Sequence, residues 1–113
     1  MALVTFRHEG ESIDHTPGAA VAAGDVVVQG ELVGVAKVDI PANALGALAV
    51  AGVFDFPKAT GVGTAITSGS TVYWDEAAKE ATTNSAAGVN KELGKTVAAA
   101  ADGDGTVAVR LSQ

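Results

Sequence analysis

The chain contains no cysteine. Disulfide staples, thiolate metal sites and cysteine nucleophiles are therefore excluded. Aromatic residues are nearly as scarce, with three Phe, one Tyr and one Trp among 113 residues. A core built largely from Ala and Val is thin, and small sheet proteins of that kind gain stability by oligomerising. Positive charge is also in short supply: seven Lys and Arg stand against thirteen Asp and Glu, a net charge of −6. Binding duplex phosphates needs a positive stripe, and these cations are scattered singly, which argues against a nucleic-acid partner. Long apolar runs are missing too. The most apolar segment, residues 44–54, alternates and contains Gly46 and Gly52, well short of the ~20 residues that cross a bilayer as a helix. No membrane partner is expected. The first residues do not resemble a secretory signal, being few and followed at once by acidic residues, so synthesis in the cytoplasm is expected.

What the chain does have is a repeat. Ala20-Val21-Ala22-Ala23-Gly24-Asp25-Val26-Val27 is echoed by Ala65-Ile66-Thr67-Ser68-Gly69-Ser70-Thr71-Val72. Leu32-Val33-Gly34-Val35-Ala36 has a looser partner in Glu92-Leu93-Gly94-Lys95-Thr96-Val97, and Gly46-Ala47-Leu48-Ala49-Val50 matches Gly105-Thr106-Val107-Ala108-Val109. The offsets are 45, 60 and 59, which puts an insertion between the first and second blocks of the second copy. Such a unit cannot bury its apolar face alone, and pairing two copies closes one core. The expectation is an all-β protein, a small pseudo-duplicated β-barrel or β-sandwich, with residues 1–17 as an N-terminal arm and 18–113 as a single β domain.

Turn signals and β-branched runs place the strands. They are expected at Leu3–Phe6, Asp25–Gln29, Leu32–Asp39, Leu45–Phe54, Thr71–Trp74, Ala81–Asn84, Lys91–Ala99 and Thr106–Leu111, with Arg7–Thr16 a polar stretch. Gly52 is read as a bulge or a close backbone approach. Tyr73 and Trp74 are adjacent, so they point to opposite faces, one towards the core and the other a candidate for an interface.

Motifs with chemistry dissolve on inspection. Gly88 to Thr96 ends in Gly-Lys-Thr, as a phosphate-binding P-loop does, but has five residues between its glycines where the cradle needs four. His8, Glu9, Glu11, Asp14 and His15 lack regular ligand spacing and are read as a solvated loop or subunit contact. Asp102-Gly103-Asp104-Gly105 is a fragment of a calcium loop that runs directly into an apolar strand, and is read as a hairpin turn. Lys58 is read as a solvated loop residue. No catalytic constellation, metal site or cofactor site emerges, so the chain is not expected to be an enzyme.

The motifs that remain carry a resemblance. The order Gly18-x-x-Val21-x-Ala23-Gly24-Asp25-Val26-Val27, Leu32 to Ala36, Gly46 to Gly61 and Ala65 to Asp75 resembles a family of tailed-phage capsid cement, or head decoration, proteins. Some members of that family carry an old label as RecA/RadA-like recombinases, which the five-residue glycine gap does not support. The likeness is close from Gly18 to about Trp74 and agrees in pattern through Leu93-Gly94-Lys95-Thr96-Val97 and Val107 to Leu111. It implies a virion structural protein on the outer capsid surface, assembled as a homotrimer, with the major capsid protein as partner and the host cytoplasm as its place before assembly. It brings no catalytic residues. Leu3, Val4, Phe6, Tyr73 and Trp74 are the candidate interface residues, and deleting residues 2–12 is expected to leave a folded β domain that decorates capsids weakly or not at all. The alternative reading is a ligand- or carbohydrate-binding β module of the tail or fibre type, which needs exposed aromatics along a groove.

Overall fold

The computed structural model describes Val4, Arg7 and residues 10–112. Nine strands form two antiparallel sheets, and the only helical element among the described residues is a 3₁₀ turn, Ala86–Gly88. The strands are β1 (Ser12–His15), β2 (Val26–Gln29), β3 (Leu32–Ala36), β4 (Gly46–Ala49), β5 (Gly52–Pro57), β6 (Thr71–Asp75), β7 (Glu80–Thr82), β8 (Lys91–Thr96) and β9 (Thr106–Leu111). The first sheet has the order β1-β4-β3-β2 and the second β5-β9-β8-β6-β7. The all-β expectation therefore holds, and the duplication becomes explicit. Each copy is three strands, β2, β3 and β4 in the first and β6, β8 and β9 in the second, whose last pairs with the strand that preceded them, a Greek-key order read from its other end.

The repeat blocks coincide bond for bond. Val21 and Ile40 exchange backbone hydrogen bonds of 2.9 and 2.8 Å, and so do Ile66 and Ala100, at 2.9 and 2.8 Å. Gly24 N–H donates to Ala36 O as Gly69 N–H donates to Thr96 O, and Ala36 N–H donates to Asp25 O as Thr96 N–H donates to Ser70 O. The insertion between the blocks of the second copy is the segment that holds β7 and the 3₁₀ turn. The third block aligns differently from the sequence match. Leu48 lies opposite Ala36 and Val109 opposite Thr96, an offset of 61 rather than 59. A slip of two residues keeps every side chain on its face, so apolar alternation alone cannot detect it.

Two further expectations are corrected. Residues 45–54 are not one strand: β4 and β5 belong to different sheets, and the chain turns between them at Val50-Ala51-Gly52. Gly52 carries a φ of 116°, a conformation that suits glycine at such a corner. Arg7–Thr16 is not simply a polar stretch either, because Ser12–His15 pairs with β4 along its length. That strand is the counterpart of β5, with Ile13 standing where Phe54 does and His15 where Phe56 does. The expected strand at Leu3–Phe6 falls largely outside the described residues; Val4 is 87% exposed.

The apolar interior divides between the copies. The larger cluster gathers Phe56, Ile66, Val72, Trp74, Ala81, Leu93, Ala100, Val107, Val109 and Leu111 from the second copy, and Val33 and Val35 from β3. Phe56 sits edge-on to Trp74 with ring centroids 6.0 Å apart, a geometry worth ~0.5–1.5 kcal/mol beyond its area. The smaller cluster is Ala36, Ile40 and Leu48, flanked by Ile13, Val21 and Val27. These are the first-copy counterparts of Thr96, Ala100, Val109, Phe54, Ile66 and Val72. β3 thus faces both ways: its two valines cover the larger core while Ala36 packs on its own copy.

Candidate functional site

Between the two copies runs a cleft of ≈ 710 Å³. Val26, Val27 and Val28 of β2 form one wall, Pro57 and Trp74 another, and Asp25, Glu76 and Lys79 supply its charge. Its shape follows from local sequence. The two-residue turn Gly30-Glu31, glycine first with a φ of 63°, folds β2 against β3 in the register Gln29 opposite Leu32. Opposite it, the β6–β7 hairpin is held by Asp75, whose carboxylate accepts from the Ala77 and Ala78 N–H groups at 3.1 Å each. Lys79 closes that turn with a φ of 58° and pairs with Glu76. The exposed ion pair Lys91–Glu31, at 3.0 Å, spans the two copies and adds at most about 1 kcal/mol.

Of the adjacent aromatic pair, Trp74 faces the core. It is 4% exposed, and its indole N–H donates to Glu76 Oε2 at 2.9 Å, which leaves Tyr73 as the half-exposed partner. Phe56 is buried and Phe54 half-buried. Among the described residues, then, no row of exposed rings exists on which a sugar could stack. Leu3 and Phe6 lie outside the described residues.

Lys58 overturns its expectation. It is 6% exposed, and its ammonium donates to Ala59 O at 2.7 Å, Asp104 O at 3.1 Å and Thr64 Oγ1 at 3.3 Å. Three protons meet three acceptors, which is how a buried ammonium is tolerated. This knot ties the glycine-rich loop after β5 to the turn before β9, and Lys58 N–H adds a bond to Gly105 O at 2.9 Å. Lys58 also forms a parallel bridge to Ala81, so the outer strands of the second sheet approach each other and the sheet nearly closes on itself. Sequence spacing offered no signal for this, because the three acceptors come from two loops far apart in the chain.

The glycine–lysine–threonine segment is strand β8, not a loop opening a helix. A Cβ at Gly94 would lie 2.0 Å from Arg110 O, so this glycine allows close strand approach and builds no phosphate cradle. Lys95 is exposed, while Thr96 is buried, donating to Thr67 O at 2.7 Å and accepting from Ser70 N–H at 3.0 Å. Asp104 caps its own turn, accepting from Ala101 N–H at 2.8 Å, while Asp102 reaches the distant loop before β6 and accepts from Ala65 N–H at 2.8 Å. No group of three His, Asp or Glu side chains that could hold a metal occurs among the described residues. His15 is half-buried on β1, away from any such group.

What remains is geometry for contact: an apolar cleft, an open sheet edge and loops tied at their bases. No curated protein and no solved structure matches the chain. The phage cement protein family, in contrast, matches it from residue 7 to residue 111. That span takes in both copies of the repeat, so the chain belongs to the phage cement protein family.

Proposed function

We propose that this protein binds the outer surface of the phage head as a homotrimer and holds neighbouring major capsid protein subunits together. The observation that carries the reading is the family match across both copies of the repeat. The chemistry of the chain supports it, because most of the described side-chain hydrogen bonds close turns and tie loops. Cement action is linkage: a ligand that binds only the assembled shell stabilises it in proportion to its binding free energy. Three copies around one axis touch several capsid subunits at once, so contacts that are individually weak act together. An interface shared by three subunits also adds apolar burial that a core poor in aromatics lacks.

On this reading the residues preceding β1 and the half-exposed Tyr73 contribute contacts, while Trp74 is buried in the core. The sheet begins close to Ser12, and Val50 N–H already donates to Glu11 O at 3.0 Å. A deletion confined to residues 2–9 therefore separates arm from fold more cleanly than one reaching residue 12. The test is imaging of purified particles assembled with and without the protein, with heat release of packaged DNA measured on both. The reading expects three-fold density on the outer shell and a higher release temperature when the protein is present. Particles that bind none of it, or that carry it inside the shell, would refute the proposal.

A further inference from the structure

The two copies differ at one edge. In the second, β7 pairs along the outer side of β6; in the first, nothing among the described residues pairs along the outer side of β2. The tight turn makes Gln29 and Leu32 a hydrogen-bonded pair, and Val27 and Gly34 the next. By the alternation of an antiparallel ladder, the N–H and C=O groups of Val26 and Val28 point away from β3, into the open. A valine-rich strand with free backbone groups is a template for another strand. The apolar cleft lies directly along it, lined by all three valines, Pro57 and Trp74.

We infer that this edge takes the N-terminal segment of a second copy of the chain, with Leu3-Val4-Thr5-Phe6 adding antiparallel to β2 where β7 adds to β6. The lengths agree, four residues against the four of β2. Alternation puts Val4 and Phe6 on one face, towards the valine and tryptophan wall, as a strand lying on a half-buried surface requires. Charge agrees as well: the segment leads into Arg7, while the cleft offers Asp25 and Glu76 against Lys79 alone. A second copy fits better than the chain's own arm. β1 and β2 lie at opposite edges of the first sheet, three strand spacings or ~14 Å apart. By register Ser12 stands level with Val26, where β2 begins, and Glu11 is still held by Val50, so an arm reaching β2 in its own subunit has only residues 7–10 with which to cross a face of the sheet. An arm from a neighbour is free to run antiparallel, as β7 does.

Each subunit then gives one strand and receives one, a head-to-tail exchange that closes as a ring. This contact rests on the homotrimer proposed above, but it is tested on free protein without capsids, so failed capsid binding and failed arm exchange are separate results. The absence of native cysteine makes the experiment direct. A chain carrying Val4→Cys is mixed with a differently sized chain carrying Val28→Cys, and the mixture is oxidised. Val26→Cys serves as a second acceptor position should Val28→Cys disturb folding, and Val4→Cys mixed with Val62→Cys is the control. Strand pairing holds the two thiols at a millimolar effective concentration, so the mixed disulfide is expected at a yield about tenfold or more above the control. A yield equal to the control at both acceptor positions overturns the inference. So does a disulfide that forms only within one chain carrying both substitutions, because the arm then covers its own β2.

Discussion

The two halves of this molecule are built on one plan and reach different ends. In the second, β7 and the Lys58 knot bring the outer strands together around Phe56 and Trp74. In the first, the same ladder encloses only Ala36, Ile40 and Leu48, and both of its edge strands stay open among the described residues. Duplication evidently does not require two equal cores. One copy supplies most of the burial, and the other is left with edges and a cleft for contact.

The largest effects should come from breaking the unequal cores. Phe56→Ala is expected to cost ~3–5 kcal/mol and Leu48→Ala ~2–3 kcal/mol, because the first removes an aromatic hub and the second acts in a three-residue cluster. Urea unfolding of both variants checks the ranking, and equal losses would argue against a dominant second core. Next come the paired glycines. An added methyl at Gly94 meets the Arg110 backbone at 2.0 Å, whereas at Gly34 it meets the Leu48 side chain at 2.8 Å. Gly94→Ala should therefore destabilise by ~3 kcal/mol or more, and Gly34→Ala by less, since the overlap at Gly94 is deeper and its φ of 152° also strains a side chain. Thermal melting of the two proteins compares them.

Lys58→Met should act more locally. It removes the donors that satisfy Ala59 O, Asp104 O and Thr64 Oγ1, at a cost of ~1–3 kcal/mol. The loops on either side of it should lose protection while β2 and β3 keep theirs, as hydrogen exchange would show. The smallest effect is expected at Lys95, which is exposed on β8. Lys95→Ala should change stability by less than ~0.5 kcal/mol and leave capsid decoration unchanged in a particle-binding assay. ATP hydrolysis that this substitution abolished would contradict the structural assignment of its glycine–lysine–threonine segment.

The fold was legible where residue type alone decides it. Val26-Val27-Val28 and Thr106 to Leu111 read as strands, the repeat read as a duplication, and the change in offset marked the inserted segment that became β7. Legibility failed where partners from elsewhere decide. Ser12-Ile13-Asp14-His15 is too polar to signal a strand by itself and becomes one because β4 offers a ladder. Gly46 to Pro57 alternates without a break, so the corner at Gly52 depends on which sheet each half joins. Lys58 is buried through acceptors from loops on both sides, a tertiary arrangement without a local signature. The cleft was equally hidden, since its walls come from β2, β5 and the β6–β7 turn.

Residue-resolved hydrogen exchange, on the full chain and on a variant lacking residues 2–9, tests most directly whether the first copy is completed from outside. The account predicts that in the assembled full-length protein the Val26 and Val28 amides are protected, and that removing the arm exposes both while Tyr73 and Trp74 amides on β6 stay protected. Equal protection of Val26 and Val28 in both proteins would contradict it, because the edge of β2 would then need no strand from a neighbour.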